Sequence, residues 1–368
     1  MIVKSVELSN FRNYENLSLT LDEGTNILFG DNAQGKTNII EAVYVSGTSK
    51  SHRSTREKEM IRFDAEDSHI KTIVEKGGSD FRIDIHLKKS KSRGIAINGI
   101  PIKRATDLFG ILNLVLFSPE DLDIIKEGPA KRRRFIDMEL CQLDKIYMYN
   151  IGKYNKILNQ RNCLLKDMAY NEDLGSTLNV WDDQLVNYGT KVIEARDEFI
   201  KEISGLIRDI HRKITGGKEE LFVEYEPAVS SGSFREELER SRDRDMKLRQ
   251  TNIGPHRDDI SFSLEGIDVR KYGSQGQQRT CALSLKLSEI ETVRRVTGEK
   301  PVLLLDDVLS ELDSSRQNLL LSCIEDIQAI ITCTGLEEFV RNRFKIDKVF
   351  EVRQGKVEDY KGEVDINE

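Results

Sequence analysis

Residues 30–37 read Gly-Asp-Asn-Ala-Gln-Gly-Lys-Thr. An apolar run, Asn26-Ile27-Leu28-Phe29, precedes them, and Ile39, Ile40, Val43 and Tyr44 follow at helical spacing. GxxxxGK[ST] between a strand and a helix is the pattern of a P-loop. Glycines let the backbone wrap a polyphosphate, and the amides at the start of the helix face its negative charge. Lys36 places a cation between the β- and γ-phosphates of ATP, and the Thr37 hydroxyl is a Mg²⁺ ligand. The expected nucleotide contacts are Gly30, Asp31, Asn32, Ala33, Gln34, Gly35, Lys36, Thr37 and Asn38.

A P-loop needs a second carboxylate-bearing strand, and Val302-Leu303-Leu304-Leu305-Asp306-Asp307 supplies one. This is a Walker B pattern. Asp306 is expected to hold the metal and Asp307 to act as general base on the attacking water. About 30 residues upstream stands Ser274-Gln275-Gly276-Gln277, which resembles the signature of ABC-type ATPases. In that superfamily the serine hydroxyl, the glycine amide and the helix N-terminus complete the γ-phosphate shell of the other subunit, so two half-sites need a two-fold dimer. Ser274, Gly276 and Gln277 are the residues so implied. The alternative is that Ser274 is simply a helix N-cap. Ser310-Glu311-Leu312-Asp313 matches a D-loop. Three features depart from the ABC pattern. Thr332-Cys333-Thr334 stands where a switch His is usual, Ser118-Pro119-Glu120-Asp121 where a Q-loop Gln is usual, and Asp307 where Glu is usual. They point to slow turnover.

The chain is long enough, at 368 residues, for two or three lobes. It has no run of the ~18 apolar residues that a membrane span needs. Its opening, MIVKSVELSNF, has no secretory h-region, so a cytoplasmic location is expected. None of the five cysteines forms a CxxC pair, which argues against a zinc or disulfide framework. Net charge is −7, against a polyanion partner on its face, yet basic clusters stand at Lys88-Lys89 with Lys91 and Arg93, and at Lys131-Arg132-Arg133-Arg134.

Periodicity gives the expected fold class: α/β, an ABC-type P-loop ATPase head with an antiparallel β subdomain, plus a mainly helical second lobe. Val3, Val6 and Leu8, then Leu17, Leu19 and Leu21, suggest two strands. From His69 to Ile102 the period is two, with Asn98-Gly99 as a hairpin turn. A buried strand is predicted over Leu112 to Phe117. An amphipathic helix is predicted along Trp181, Leu185, Tyr188, Val192, Ala195, Phe199 and Ile203, pairing with one near Leu140 to Leu165. Strands follow over Ile260 to Leu264 and Val269 to Tyr272, then a helix from Gln275. The expected lobes are 1–117 with 246–368, and 118–245.

The blocks NFRNYENL, GDNAQGKTNIIEAVY, GTSKSHR, FSPEDL, PAKRRRFID, GPHRDD, YGSQGQQRT and LLLDDVLSELD run from end to end of the chain. Together they resemble the RecF family of bacterial recombination mediators, relatives of the chromosome-structure (SMC) ATPase heads. The resemblance implies an ATP- and Mg²⁺-dependent DNA-repair ATPase. It implies homodimerisation on ATP binding, recognition of gapped DNA at duplex/single-strand junctions, and action with RecR and RecO, with no membrane partner. It also places Arg12 and Asn13 near the nucleotide. Lys131, Arg132, Arg133 and Arg134 are candidates for DNA contact or for an interface, or are the solvated start of a helix. Lys88, Lys89 and Arg93 are DNA candidates at a hairpin tip. His52-Arg53, Arg56 and His256-Arg257 fit structure or an interface equally well. Two other readings are an ATP-binding transporter subunit and a chromosome-structure head. The first would carry its signature far closer to the P-loop than the 238 positions separating Lys36 from Ser274. The second would need a much longer insertion.

Overall fold

The computed structural model describes residues 1–54, 56–168, 175–324, 326–336 and 345–360. The chain forms two compact units, residues 1–121 with 289–368, and residues 122–288.

The first unit begins with β1 (Ile2–Phe11), β2 (Tyr14–Thr20), β3 (Thr25–Phe29) and helix α1 (Lys36–Thr48). A meander follows, β4 (Asp67–Lys76), β5 (Ser79–Lys88), β6 (Gly94–Ile97) and β7 (Ile100–Pro101), and then β8 (Leu114–Phe117). The meander joins β1 and β2 in an antiparallel sheet of order β2-β1-β4-β5-β6-β7. Alternation along β4 sends Ile70, Thr72 and Val74 into the core and their neighbours outward. After the second unit the chain returns through β12 (Val302–Asp306), α10 (Ser314–Ile324), β13 (Ala329–Cys333), β14 (Lys348–Arg353) and β15 (Lys356–Asp359). These complete a second sheet, β15-β14-β3-β13-β12-β8, parallel except for its β14–β15 hairpin. Strands β12 and β13 are buried along their whole length, as a covered parallel sheet requires. Register then fixes the chemistry. Asp306 pairs with Thr332 and Cys333 with Phe29, so the carboxyl ends of β3, β13 and β12 end at one level. In open α/β sheets that edge is where ligands bind.

The second unit comprises α2 (Leu122–Lys126), α3 (Pro129–Leu143), α4 (Lys145–Asp167), α5 (Gly175–Ile214), β9 (Leu221–Glu226), α6 (Phe234–Arg240), α7 (Arg242–Leu248), β10 (Asp259–Leu264), β11 (Ile267–Asp268) and α8 (Val269–Tyr272). Helix α9 (Gln275–Thr297) carries the chain across the division at 288/289. Helices α4 and α5 pack against each other, and Leu185, Val192, Phe199 and Ile203 of the predicted stripe are buried.

Two sequence expectations change here. Residues 246–288 belong with the second unit rather than the first, because β10 pairs along its length with β9 in a small antiparallel sheet. Residues Val269–Tyr272 form a helix instead of a strand, because the Asp268 carboxylate caps it, accepting from the Arg270 and Lys271 amides. No described helix is long and apolar enough to cross a membrane.

Candidate functional site

The loop after β3 is held by its backbone. Gly30 (φ 151°), Ala33 (φ 64°) and Gly35 (φ 115°) all adopt positive φ, a sequence of conformations that turns successive amides toward one concavity. Glycine is required at Gly35. A Cβ there would lie 2.5 Å from Asn13 Nδ2 and 2.8 Å from the Tyr14 hydroxyl. Lys36 is 3% exposed, and its Nζ donates to the Gly30 and Asp31 carbonyls at 2.7 and 2.9 Å. The ammonium therefore lies inside the loop it serves. Asn13 pins the loop from outside, donating to the Gln34 carbonyl at 3.0 Å and accepting from Asn38 at 2.8 Å. Asn32, Asp31 and Gln34 are carried on the same loop, and the first amides of α1 have no intrahelical acceptor.

Facing the loop is the end of β12. Asp306 Oδ1 accepts from Thr37 Oγ1 at 2.8 Å and from Thr332 Oγ1 at 2.9 Å. Burial raises the Asp306 carboxyl above the usual carboxylate range, against these two hydrogen bonds, with neighbouring Asp307 adding to the rise. A buried carboxylate beside a threonine hydroxyl at a phosphate-shaped loop is the donor set of a hard divalent cation that keeps water and phosphate ligands. The site therefore fits Mg²⁺ with a nucleoside triphosphate. Asp307 follows at φ 53°, a left-handed conformation uncommon outside glycine and asparagine. Its amide donates to Thr332 Oγ1 at 2.9 Å and its carbonyl accepts from Ser310 at 2.9 Å. Thr332 thus bridges both carboxylate residues. Its position was legible in sequence only as the missing switch His.

Sequence reasoning missed Glu41. This carboxylate is fully buried in α1 and takes a bidentate grip from Arg12 at 2.6 and 2.8 Å. Burial pushes Glu41 up, but the bonds from Arg12 and Ser51, with the Arg12 and Arg53 charges, hold it below its ordinary range. Arg12 also donates to the Glu59 carbonyl. Its guanidinium thus braces α1 from the segment next to Asn13, which holds the P-loop. Arg53 lies 3.8 Å from Glu41 and donates to Asn38 at 2.9 Å. The signal was a lone acid in an otherwise apolar helical face.

In the second unit, Ser274 and Gln277 form a reciprocal cap at the start of α9. The Gln277 amide donates to Ser274 Oγ at 3.2 Å and the Ser274 amide to Gln277 Oε1 at 2.9 Å. Ser274 and Gly276 are exposed. The N-cap alternative is therefore true as geometry. It leaves the signature reading open, since Ser274 Oγ only accepts in that bond.

The basic candidates divide. Arg132 is 2% exposed, its fork on Asp259 at 2.6 and 2.9 Å, so it is no surface contact for DNA. The reason is helical geometry: in a run of four cations on a helix one must face inward, and here it finds a carboxylate. Lys131 pairs with Asp123 at 2.9 Å and Arg133 donates to the Asp258 carbonyl at 2.6 Å, while Arg134 is exposed. At the hairpin tip Lys88 is exposed, Lys89 bonds the Phe63 carbonyl at 3.2 Å, and Arg93 pairs with Glu57 at 2.8 Å.

With this geometry in place, the comparisons are specific. The family model described as "RecF/RecN/SMC N terminal domain" matches residues 2–358. A protein of Agathobacter rectalis, "DNA replication and repair protein RecF", is 62% identical, covering 97% of this chain and 99% of the relative. The solved "Structure of the recombination mediator protein RecF-ATP in RecFOR pathway" superposes with a TM-score of 0.91 at 34% identity, over 98% of this chain and 97% of that one. "Crystal structure of the SmcHead bound to the C-winged helix domain of ScpA" shares the fold, with a TM-score of 0.57 at 14% identity over 98% and 97% of the two chains. The chain therefore belongs to the RecF family, within the wider group of RecF/RecN/SMC N-terminal domains.

Proposed function

We propose that this chain is a DNA-repair ATPase whose nucleotide site is completed by a second copy. The observation that carries the reading is the contact of the P-loop hydroxyl Thr37 with the Walker B carboxylate Asp306 at 2.8 Å. The relatives' name, "DNA replication and repair protein RecF", and the structural neighbour described as RecF-ATP support it. Lys36 and the amides of residues 33–38 bind the triphosphate, and Thr37 and Asp306 hold the metal. A Mg²⁺ ion held there would supply positive charge against the phosphates. Asp307 takes the proton of the attacking water. Ser274 and Gly276 of the partner close the shell around the γ-phosphate, so ATP binding drives dimerisation. The dimer clamps gapped DNA, hydrolysis releases it, and RecO and RecR act with it to load the recombinase.

DNA retention tests this reading. Gapped DNA is held only with ATP, and retention falls steeply with salt as counterions are released. Equal retention without nucleotide, or none at low salt, contradicts it.

Thr332→Val tests the Walker B geometry. The side chains are nearly isosteric, but the valine cannot donate to Asp306 or accept from Asp307. Losing a hydrogen bond to the ionised form raises the Asp306 pKa further. Metal binding needs the carboxylate, so the acid limb of the ATPase pH profile moves to higher pH and the Mg²⁺ requirement rises. Turnover falls about 10- to 100-fold, in line with the ~1.5–3 kcal/mol of one charge-assisted bond, and Thr332→Ser restores it. An unchanged pH profile and Mg²⁺ requirement refute the role.

A further inference from the structure

Within the first unit, the lining of a cleft of about 1130 Å³ includes Phe63, the cations Arg56, Lys58, Lys88 and Lys91, and the acids Glu57 and Glu59. Phe63 is 98% exposed. A phenyl ring left in water forgoes about 1.5–3 kcal/mol of burial, so the fold gains nothing from it. Nor is it a loose tail. Its carbonyl accepts from Lys89, and its turn is tied by the Arg62 amide on the Asn10 carbonyl at 2.8 Å and the Ala65 amide on the Arg62 carbonyl at 3.1 Å. The ring is a platform on a fixed backbone.

The cations around it are equally unspent. Among the described residues, Arg56, Lys58, Lys88 and Lys91 have no carboxylate within ion-pair distance, whereas Glu57 is taken by Arg93, Glu66 by Lys89 and Asp64 by Arg62, and Glu59, which also lines the cleft, accepts from the Ser54 hydroxyl. The triphosphate of a bound nucleotide is served by Lys36, which does not line the cleft. Four free cations are surplus to one nucleotide and call for further phosphates. A ligand with regularly spaced phosphates and flat apolar faces is a nucleic-acid strand. Only an unpaired base has a face free to stack, because in a duplex both faces are covered.

We propose that this cleft holds single-stranded DNA, with a base stacked on Phe63 and the backbone on Arg56, Lys58, Lys88 and Lys91. The inference rests on the proposed DNA-binding function and assigns the unpaired strand of a junction to one surface. Phe63→Ala in the full chain tests it, because an exposed ring can be removed without disturbing the core. Binding of gapped and single-stranded DNA, measured with ATP, weakens roughly 5- to 100-fold, the range for one lost stacking partner. Blunt duplex binding stays as it was, and Phe63→Trp retains the gapped-DNA affinity. Lys88→Gln with Lys91→Gln lowers the salt slope for single strands by about 1.4. If wild-type protein retains no DNA, the function and this surface both fall. If wild type retains gapped DNA and Phe63→Ala does so equally well, only this surface falls. A Phe63→Ala protein that loses ATP affinity while keeping gapped-DNA affinity overturns it too, since the ring would then serve the nucleotide's own base.

Discussion

Asp307→Asn is expected to lower ATP turnover by about 10²–10⁴-fold, the range for a removed general base, while ATP binding and the ATP-driven dimer persist. The substitution is well suited to the site. Asp307 sits at φ 53°, and asparagine is among the few residues that tolerate that conformation. The amide bond to Thr332 and the carbonyl bond from Ser310 are made by the backbone, so they survive the change. What is lost is the carboxylate proposed to accept the proton. Phosphate release at saturating ATP, alongside sedimentation with ATP, separates the two effects. Wild-type turnover in this variant would place the base elsewhere.

Much of this site was readable from sequence because its parts are local. The P-loop, the apolar strand ending in Asp306 and Asp307, and the Ser274 turn are each contiguous, and strand or helix periodicity on either side sets their context. The parts that were not readable depend on distant partners. Glu41 has meaning only once Arg12 and Ser51 surround it, and Thr332 only once β13 lies beside β12 in register. The boundary at 288/289 depends on β10 pairing with β9, whose six-residue alternation, Leu221–Glu226, passes for loop on its own. Strands β14 and β15 carried a signal, alternating residues around the Gln354-Gly355 turn, without the long apolar run that marks β12. Charge misled most. Lys131 to Arg134 reads as one basic patch, yet successive helical residues face directions ~100° apart, and Arg132 lies in the core on Asp259. Reversing that residue would break a buried ion pair, costing about 3–5 kcal/mol, and would say nothing of DNA.

Ser274→Arg is the second large effect. The residue is exposed at the start of α9, so an arginine fits the monomer, at a cost of about 1 kcal/mol for the lost cap. In a dimer closed over the partner's γ-phosphate, its bulk falls in the interface. ATP should bind Ser274→Arg normally and fail to dimerise it, leaving ATPase near background. Lys36→Ala fails one step earlier, losing ATP itself. Mixed in excess, the two variants form a heterodimer in which one composite site pairs an intact P-loop with an intact signature, and partial recovery of turnover is expected.

The proposed trans site is tested most directly by sedimentation of Asp307→Asn with ADP and with ATP, because that variant is expected to hold ATP without consuming it. A monomer with ADP and a dimer with ATP, abolished when Ser274→Arg is added to the same chain, is the expected result. A protein that binds ATP yet sediments as a monomer at high concentration would contradict it.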